Sequence, residues 1–321
     1  MMPTSALLTR LFLCALLCAC REQRPAATPA APAVAASASA TAAVTAPPAS
    51  EAVPAPPAPT PEQLEAQAAG MRERVVLMQS IFGGKFNPVR NDATMQLSVP
   101  EEPGMQVYTI EPVAHTFLPN GDAALVANAL RGDRGPDDGR VRTEGGLLNI
   151  FILRKTEGRW ALLKHHTNIA RMGSWESIGR ARFMQLAPGK PGLAMLHGFA
   201  MMDYAHRRLS LFDLTADPVR SLTGDGITIF FSTSGCVPEE ENICSDIVAG
   251  WRFALPAAQA DYNDLVLTFV GQDDGKKEAR RKGQEGPVLA SDITSLNGSA
   301  RYAYNGKTYV LVEGKNPAPQ E

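Results

Sequence analysis

The sequence predicts an all-β body, an antiparallel sandwich or partly closed barrel, preceded by one helix. Between residues 91 and 316 the apolar residues fall in short runs of strand-like period. Turn-forming pairs such as Asn120-Gly121 and Asn305-Gly306 separate these runs. Long helical patterns and a clean internal repeat are both missing from the pattern of this region, which disfavours an α/β fold, a propeller or a solenoid.

The first twenty residues have the organisation of a bacterial secretion signal. Arg10 precedes an apolar run that is too short to span a bilayer as a mature helix, and the run ends in Leu17-Cys18-Ala19-Cys20. This ending resembles the lipobox of bacterial lipoproteins, in which the last cysteine is lipidated and becomes the mature N-terminus. The resemblance implies a signal peptide over residues 1–19 and a lipid on Cys20. An ordinary secretory signal, cleaved without lipidation, is the alternative.

The same resemblance implies a location in the bacterial cell envelope. In lipoproteins an aspartate after the lipidated cysteine retains the protein at the inner membrane, whereas Arg21 stands here. In a Gram-negative host this implies lipid anchoring at the outer membrane, facing the periplasm. The lipid bilayer is then a partner through the N-terminal lipid.

Residues 20–60 are predicted to form a disordered tether behind the lipidated cysteine. Alanine and proline dominate, and large apolar residues are almost missing, so the segment cannot bury enough surface to offset its ordering entropy. Extended at about 3 Å per residue, such a tether reaches on the order of 100 Å.

A helix is predicted over residues 61–84. Thr60 is a typical N-cap, Pro61 suits the first helical position, and Gln63 completes a capping box. The helical pattern continues to Phe82 and stops at Gly83-Gly84. A stripe near one face is expected to pack on the edge of the body; it consists of Leu64, Met71, Val75, Met78 and Phe82.

A single β-rich domain over residues 91–316 and a tail over 317–321 complete the chain. Its most regular part runs from Gly145 to Thr167, with Glu157-Gly158 as a two-residue hairpin loop. That loop sets Leu153 opposite Leu162, Phe151 opposite Lys164, and Ile152 opposite Leu163. Because both faces carry aliphatic residues, both strands are expected to be interior.

Further strands are expected wherever alternation is clearest. These are residues 106–111, 123–130, 181–186, 193–199, 208–214, 227–232, 247–255 and 265–270. A two-residue loop at Asn305-Gly306 sets Tyr302 opposite Tyr309 as an aromatic cross-strand pair.

Two cysteines remain after the signal and the lipid site, Cys236 and Cys244. In an oxidising compartment they predict a disulfide bond that contributes about 2–3 kcal/mol in the chain-entropy model. Two ligands of a metal site are the alternative, but further ligands are lacking nearby. The intervening loop contains Glu239, Glu240 and Glu241, which either form a solvated acidic loop or, with other carboxylates, hold calcium.

The sequence gives no recognisable catalytic signature. It lacks a nucleophile elbow, a zincin helix and a phosphate loop. His165 and His166 are adjacent on a predicted strand and therefore point to opposite faces, which disfavours a shared metal ion. A triad of His197, Asp203 and Ser210 is a minor alternative, because triads need no sequence proximity. We predict no catalytic residue, no metal ligand and no cofactor.

Function is predicted only in outline. A net charge of −2 disfavours general nucleic-acid binding. An anchor, a tether and a β body favour binding of another envelope component, either a protein or a glycan. The candidate contact surface comprises Trp175, which lies on a turn-rich connection, and the acidic loop at Glu239–Glu241. An envelope hydrolase with an unrecognised site and a structural subunit of an envelope complex are the alternatives.

Overall fold

The structure is a computed structural model that describes residues 60–100, 103–132, 140–201, 204–233, 245–256, 260–273 and 293–320. In these ranges one α-helix precedes a long series of strands. The helix α1 spans Pro61–Phe82, and the strands are β1 (Phe86–Asn87), β2 (Asp92–Ser98), β3 (Met105–Phe117), β4 (Ala123–Arg131), β5 (Gly146–Thr156), β6 (Arg159–Met172), β7 (Arg180–Ala187), β8 (Lys190–Met201), β9 (Tyr204–Asp213), β10 (Ile227–Ser232), β11 (Asp246–Ala254), β12 (Asp264–Asp273), β13 (Thr294–Ser295), β14 (Gly298–Tyr304) and β15 (Tyr309–Gly314).

The helix begins and ends where the sequence predicts. The hydroxyl of Thr60 accepts a hydrogen bond from the Gln63 amide at 3.2 Å, and the Gln63 side chain accepts one from the Thr60 amide at 2.9 Å. Leu77 and Met78 are buried, whereas Leu64 and Met71 are exposed. The helix therefore packs through its C-terminal half only, and the first part of the predicted stripe lies outside the contact.

The first sheet contains β1 to β6 in sequence order. One of its faces packs against α1, and the other packs against the second sheet. Alternation along β4 divides its side chains between the two cores, with Leu125 on the helix side and Val126 on the inter-sheet side.

The second sheet has the strand order β15-β14-β12-β11-β10-β9-β8-β7, with β13 beside β12. The face of this sheet that does not pack against the first sheet carries a hydrophobic core of its own. This core is one cluster that includes Leu186 of β7 and Tyr309 of β15. Hydrogen bonds also cross this core side, from the Asn263 amide to the Leu186 carbonyl at 2.9 Å and from the Tyr309 amide to the Leu222 carbonyl at 2.7 Å. The sheet is therefore curled, and the two sheets form a sandwich-like antiparallel body, as the sequence predicts, without closing into a barrel.

The hairpin of β5 and β6 follows the predicted register only near its loop. Leu153 pairs with Leu162 as expected, but Phe151 pairs with His165 and Ile152 with Lys164, so those two predicted pairs are wrong. A register shift between Ile152 and Leu153 inserts one extra residue into β6. Sequence spacing from a turn cannot detect such a bulge.

The prediction that both hairpin strands are interior is correct for β5 and wrong for β6. β5 is buried from Gly146 to Leu153, whereas β6 is the edge of the first sheet. Leu162 and Leu163 of β6 are 42% and 44% exposed. The apolar residues of β6 have the sequence pattern of a buried strand, although β6 lies at the edge of the sheet.

The pairing predicted for the last hairpin is also wrong. Tyr304, and not Tyr302, lies opposite Tyr309, and their ring centroids are 6.0 Å apart. The loop holds residues 305–308 because Asn305 Oδ1 accepts hydrogen bonds from the amides of Lys307 and Thr308, both at 2.9 Å. This Asn turn adds two residues to the expected loop.

Several predictions lie outside the described residues. They concern the signal, Cys20 and most of the tether before residue 60, and the segment 234–244 with Cys236, Cys244 and Glu239–Glu241. Among the described residues, no helix combines the length and the hydropathy needed to cross a membrane.

Candidate binding cleft around Trp175

Trp175 lies at the tip of a tight turn between β6 and β7. Ser174 and Ser177 form a bridge, and the Ser177 amide donates to the Ser174 carbonyl at 3.0 Å. Both central residues have positive φ, +55° at Trp175 and +54° at Glu176. Turns with two such residues normally contain Asn and Gly, because other side chains crowd the backbone there. The turn therefore holds a tryptophan in a conformation that it rarely adopts.

Hydrogen bonds and close packing from neighbouring segments hold this conformation. The Asn128 side chain donates to the Glu176 carbonyl at 2.8 Å. The amides of Trp175 and Glu176 donate to the carbonyls of Arg142 and Glu144 at 3.2 and 2.7 Å. A Cβ at Gly146 would lie 2.0 Å from Asn128 Oδ1, so glycine is required there. The surrounding structure thus fixes the turn and with it the position of Trp175.

Trp175 is 52% exposed. The Arg142 guanidinium lies 5.8 Å from its ring centroid and also donates hydrogen bonds of 3.1 and 2.7 Å to the Ala200 carbonyl. Arg142 therefore links the turn to the end of β8 and stacks with the indole. The ring is oriented from one side and keeps a large solvent-accessible surface.

Trp175 forms part of the wall of a cleft of about 490 Å³. Two further aromatic rings line this cleft, Phe199 of β8 and Phe230 of β10, and its basic side chains are Arg180, His206 and Arg207. A concave volume of this size suits a small ligand or one short segment of a polymer. We call it the Trp175 cleft.

The described lining of the Trp175 cleft includes no Asp or Glu. The Arg207 guanidinium lies over the Phe230 ring, 5.3 Å from its centroid. Across the described ranges, neither Arg180 nor Arg207 forms an ion pair, whereas Arg154 and Arg301 are paired with Asp122 and Asp264. The cleft thus offers guanidinium donors that an anion can occupy.

His197 also lines the cleft, although the residue is largely buried. Burial, with the positive charges of Arg208 and His206, lowers its pKa to about 4, so it is neutral near pH 7. Its Nε2 lies 2.8 Å from Ser210 Oγ. A Cβ at Gly226 would lie 2.9 Å from that Oγ and 3.2 Å from that Nε2, so the backbone at 226 covers the pair.

This arrangement bears on the minor alternative of a catalytic triad. The structure brings His197 and Ser210 together, while Asp203 lies outside the described residues. Ser210 is only 2% exposed, so its hydroxyl has no access to a substrate in solvent. The hydrogen bond satisfies two buried polar groups and supports the wall of the cleft.

The two adjacent histidines diverge as the sequence predicts. His165 lies beside Phe151 on the helix side, with ring centroids 6.4 Å apart, whereas His166 lines a cavity of about 410 Å³ with Ile152 and Leu214. In that cavity Arg154 is paired with Asp122, and Lys164 is paired with Asp217. Its cations are already neutralised, which makes it a weaker candidate than the Trp175 cleft. Within the described ranges no cluster of three His, Cys, Asp or Glu residues is arranged to hold a metal ion.

Trp175 is recognisable as a candidate from the sequence, whereas its partners in the cleft are not. Arg142, Arg180, Arg207, Phe199 and Phe230 come from separate segments, and no spacing rule connects them. The one available signal was the set of glycines around the turn, at positions 145, 146, 173 and 179. Comparisons of the chain with protein-family models, with curated proteins and with solved structures gave no match.

Proposed function

We propose that this chain is a lipid-anchored protein of the bacterial envelope whose β body binds an anionic envelope component in the Trp175 cleft. The carrying observation is an exposed tryptophan held in a strained turn beside Arg180 and Arg207, which form no ion pair among the described residues. Anchoring rests on the resemblance of residues 17–20 to a lipobox. The expected location is the outer membrane, facing the periplasm.

Backbone strain supports a binding role for the turn. A non-glycine residue at positive φ costs of order 1–3 kcal/mol, and such residues cluster at functional sites. Trp175 and Glu176 both have this conformation, where Asn-Gly would form the same turn without strain. A role in packing alone gives no reason to place an exposed indole there.

A fixed aromatic ring also lowers the entropic cost of binding. Tryptophan has few rotatable bonds, and Arg142 already limits the orientation of this one. Rigid aromatic residues and arginines dominate the binding energy of many interfaces. Trp175, Arg180 and Arg207 are therefore the residues expected to contribute most.

The anchor is tested separately from the cleft. Cys20→Ala is expected to release the protein from membranes into the soluble envelope fraction. Unchanged membrane fractionation of this variant would refute lipidation at Cys20. The proposed Cys236–Cys244 disulfide is tested by thiol labelling of the native mature protein, where labelling of both residues would refute it.

Binding in the cleft is tested by photocrosslinking in intact cells. A photoreactive amino acid at Ala205, which lines the cleft, is expected to capture a discrete envelope component. The matched control carries the same group at Val89, which is exposed in a turn before β2 and does not line the cleft. The same capture pattern at both positions, or none at Ala205, would contradict a binding site in the cleft.

A further inference from the structure

We infer that the ligand of the Trp175 cleft is an acidic glycan whose sugar ring stacks on Trp175 while its carboxylates bind Arg180 and Arg207. This inference rests on the proposed function and names the class of component that the cleft binds. An acidic peptide and a neutral glycan are the rival ligands.

The aromatic lining of the cleft favours a sugar over a simple anion. The indole of Trp175 has a negative face, which attracts the polarised C–H bonds on one face of a pyranose ring. Arg142 stacks with this indole but is not part of the lining, so the ring surface in the cleft remains available to a ligand. Phe199 also lines the cleft, whereas the Phe230 ring lies beneath the Arg207 guanidinium.

Arg180 and Arg207 bring two positive charges to the lining of the cleft. Arg180 is opposite Leu196 on β8, and Arg207 is opposite Gly198 on the same strand. The two arginines are therefore on strands that flank β8, and two strand spacings combined with a two-residue offset along β8 place their backbones about 12 Å apart. An acidic oligosaccharide carries carboxylates on successive sugars, so it can supply a separate carboxylate to each of the two guanidinium groups.

The shape of the cleft favours a chain of sugars over a folded protein. Small residues form much of the lining, including Gly179, Gly198, Ala200 and Ala205. They leave a concave floor where a ring can approach the backbone. A standard protein interface covers about 800 Å² on each side, so a protein partner would extend well beyond this cleft, whereas a short chain of sugars can lie within it.

Equilibrium binding to the full mature chain in detergent micelles tests the inference. The probes are a uronic-acid oligosaccharide, a neutral glucose oligosaccharide of equal length and an oligoglutamate peptide. We expect saturable binding of the uronic-acid probe that weakens as salt rises, and much weaker binding of the other two. Equal binding of the neutral probe would overturn the role of charge, and preferential binding of oligoglutamate would overturn the glycan assignment.

Variants locate the interaction. Trp175→Ala and the double variant Arg180→Gln/Arg207→Gln are each expected to weaken binding of the uronic-acid probe about tenfold or more, because each removes a strong contact. Arg159→Gln, at an exposed arginine outside the cleft, is the control and should bind like the unmodified chain. Equal loss in the control would show adsorption to the general surface and would overturn the inference.

The glycan inference can fail while the proposed function survives. If photocrosslinking at Ala205 captures an envelope protein and the uronic-acid probe does not bind, the inference is wrong and the cleft still binds an envelope component. If neither occurs, the inference and the proposed function both fail.

Discussion

The side-chain amide of Asn128, in the buried strand β4, donates a 2.8 Å hydrogen bond to the carbonyl oxygen of Glu176 in the exposed turn. The two residues are far apart in sequence, and this bond links the core of the first sheet to the candidate binding cleft. Asn128 Oδ1 is buried and accepts no hydrogen bond among the described residues. A buried acceptor without a partner lowers stability, so Asn128 stabilises the fold through the hydrogen bond that its side-chain NH₂ group donates.

Asn128→Ala is therefore expected to lower the free energy of unfolding by about 1–3 kcal/mol, because the Glu176 carbonyl loses a buried donor and a cavity forms. Chemical denaturation of the mature chain measures the change. Gln79→Ala removes a hydrogen bond from an exposed side chain and should change stability by about 0.5 kcal/mol or less. A similar effect of both variants would contradict a special role for Asn128.

The strain at Trp175 predicts a conflict between stability and binding. Trp175→Asn should leave the free energy of unfolding unchanged or raise it by up to about 1 kcal/mol, because asparagine tolerates positive φ. Binding of the crosslinked envelope component should fall at the same time. Trp175→Val is the matched comparison and should destabilise the protein, since a β-branched residue is least tolerated at this φ. Loss of stability in Trp175→Asn equal to that in Trp175→Val would show that the indole serves packing.

His197 predicts a specific acid sensitivity. Its pKa falls from about 6.5 in the unfolded chain to about 4 in the folded protein, because burial disfavours the charged ring. Between these two values the unfolded state binds more protons, so stability falls as pH decreases from about 6.5 to 4. The free energy of unfolding is therefore up to about 3 kcal/mol lower at pH 4 than above pH 6.5, because of this one group.

The measurement compares unfolding of the unmodified chain with that of His197→Gln at several pH values. Glutamine can still form a hydrogen bond with Ser210 but does not titrate. Between pH 7 and pH 4 the unmodified chain should lose up to about 3 kcal/mol more stability than the variant, because only the unmodified chain has a titrating side chain at position 197. Parallel pH profiles of the two proteins would contradict the assignment.

The fold was predictable wherever local chemistry decides the structure. The capping box of Thr60 and Gln63 fixes the start of α1, and the turn at Glu157-Gly158 fixes the nearest pairs of the hairpin. Predictions failed where one residue changes a register. The bulge beside Ile152 and the longer loop at Asn305 both shift the residue pairs across their hairpins. Side-chain hydrogen bonds and neighbouring strands, rather than the turn sequence alone, determine how many residues lie in the bulge or the loop.

The site was predictable only at Trp175. An aromatic residue on a turn-rich connection is visible in sequence, but its exposure depends on Asn128 and Gly146, which hold the turn from other strands. The acidic loop predicted as the other part of the contact surface lies outside the described residues. Arg180 and Arg207 line the same cleft because β7 and β9 flank β8, a topology that spacing along the chain does not contain.

The turn at Glu157-Gly158 provides a further prediction that is independent of the cleft. Both residues have positive φ, +51° and +79°, and a Cβ at Gly158 would meet no atom within 4 Å. Gly158→Ala therefore adds no clash with neighbouring atoms, and its cost comes from the backbone alone. We expect a loss of about 1–2 kcal/mol in the free energy of unfolding. Glu157→Asn should have the opposite effect, a gain of up to about 1 kcal/mol, because Asn-Gly is the preferred pair for this turn.

The two variants are measured by denaturant unfolding with a control at Gly84, which has ordinary φ and where a Cβ also meets no atom within 4 Å. Gly84→Ala should be neutral or slightly stabilising, because it reduces the entropy of the unfolded chain without strain in the folded one. A loss in Gly84→Ala as large as that in Gly158→Ala would show that flexibility, and not positive φ, sets the requirement for glycine. A loss in Glu157→Asn would show that the Glu157 side chain contributes contacts that outweigh its backbone strain.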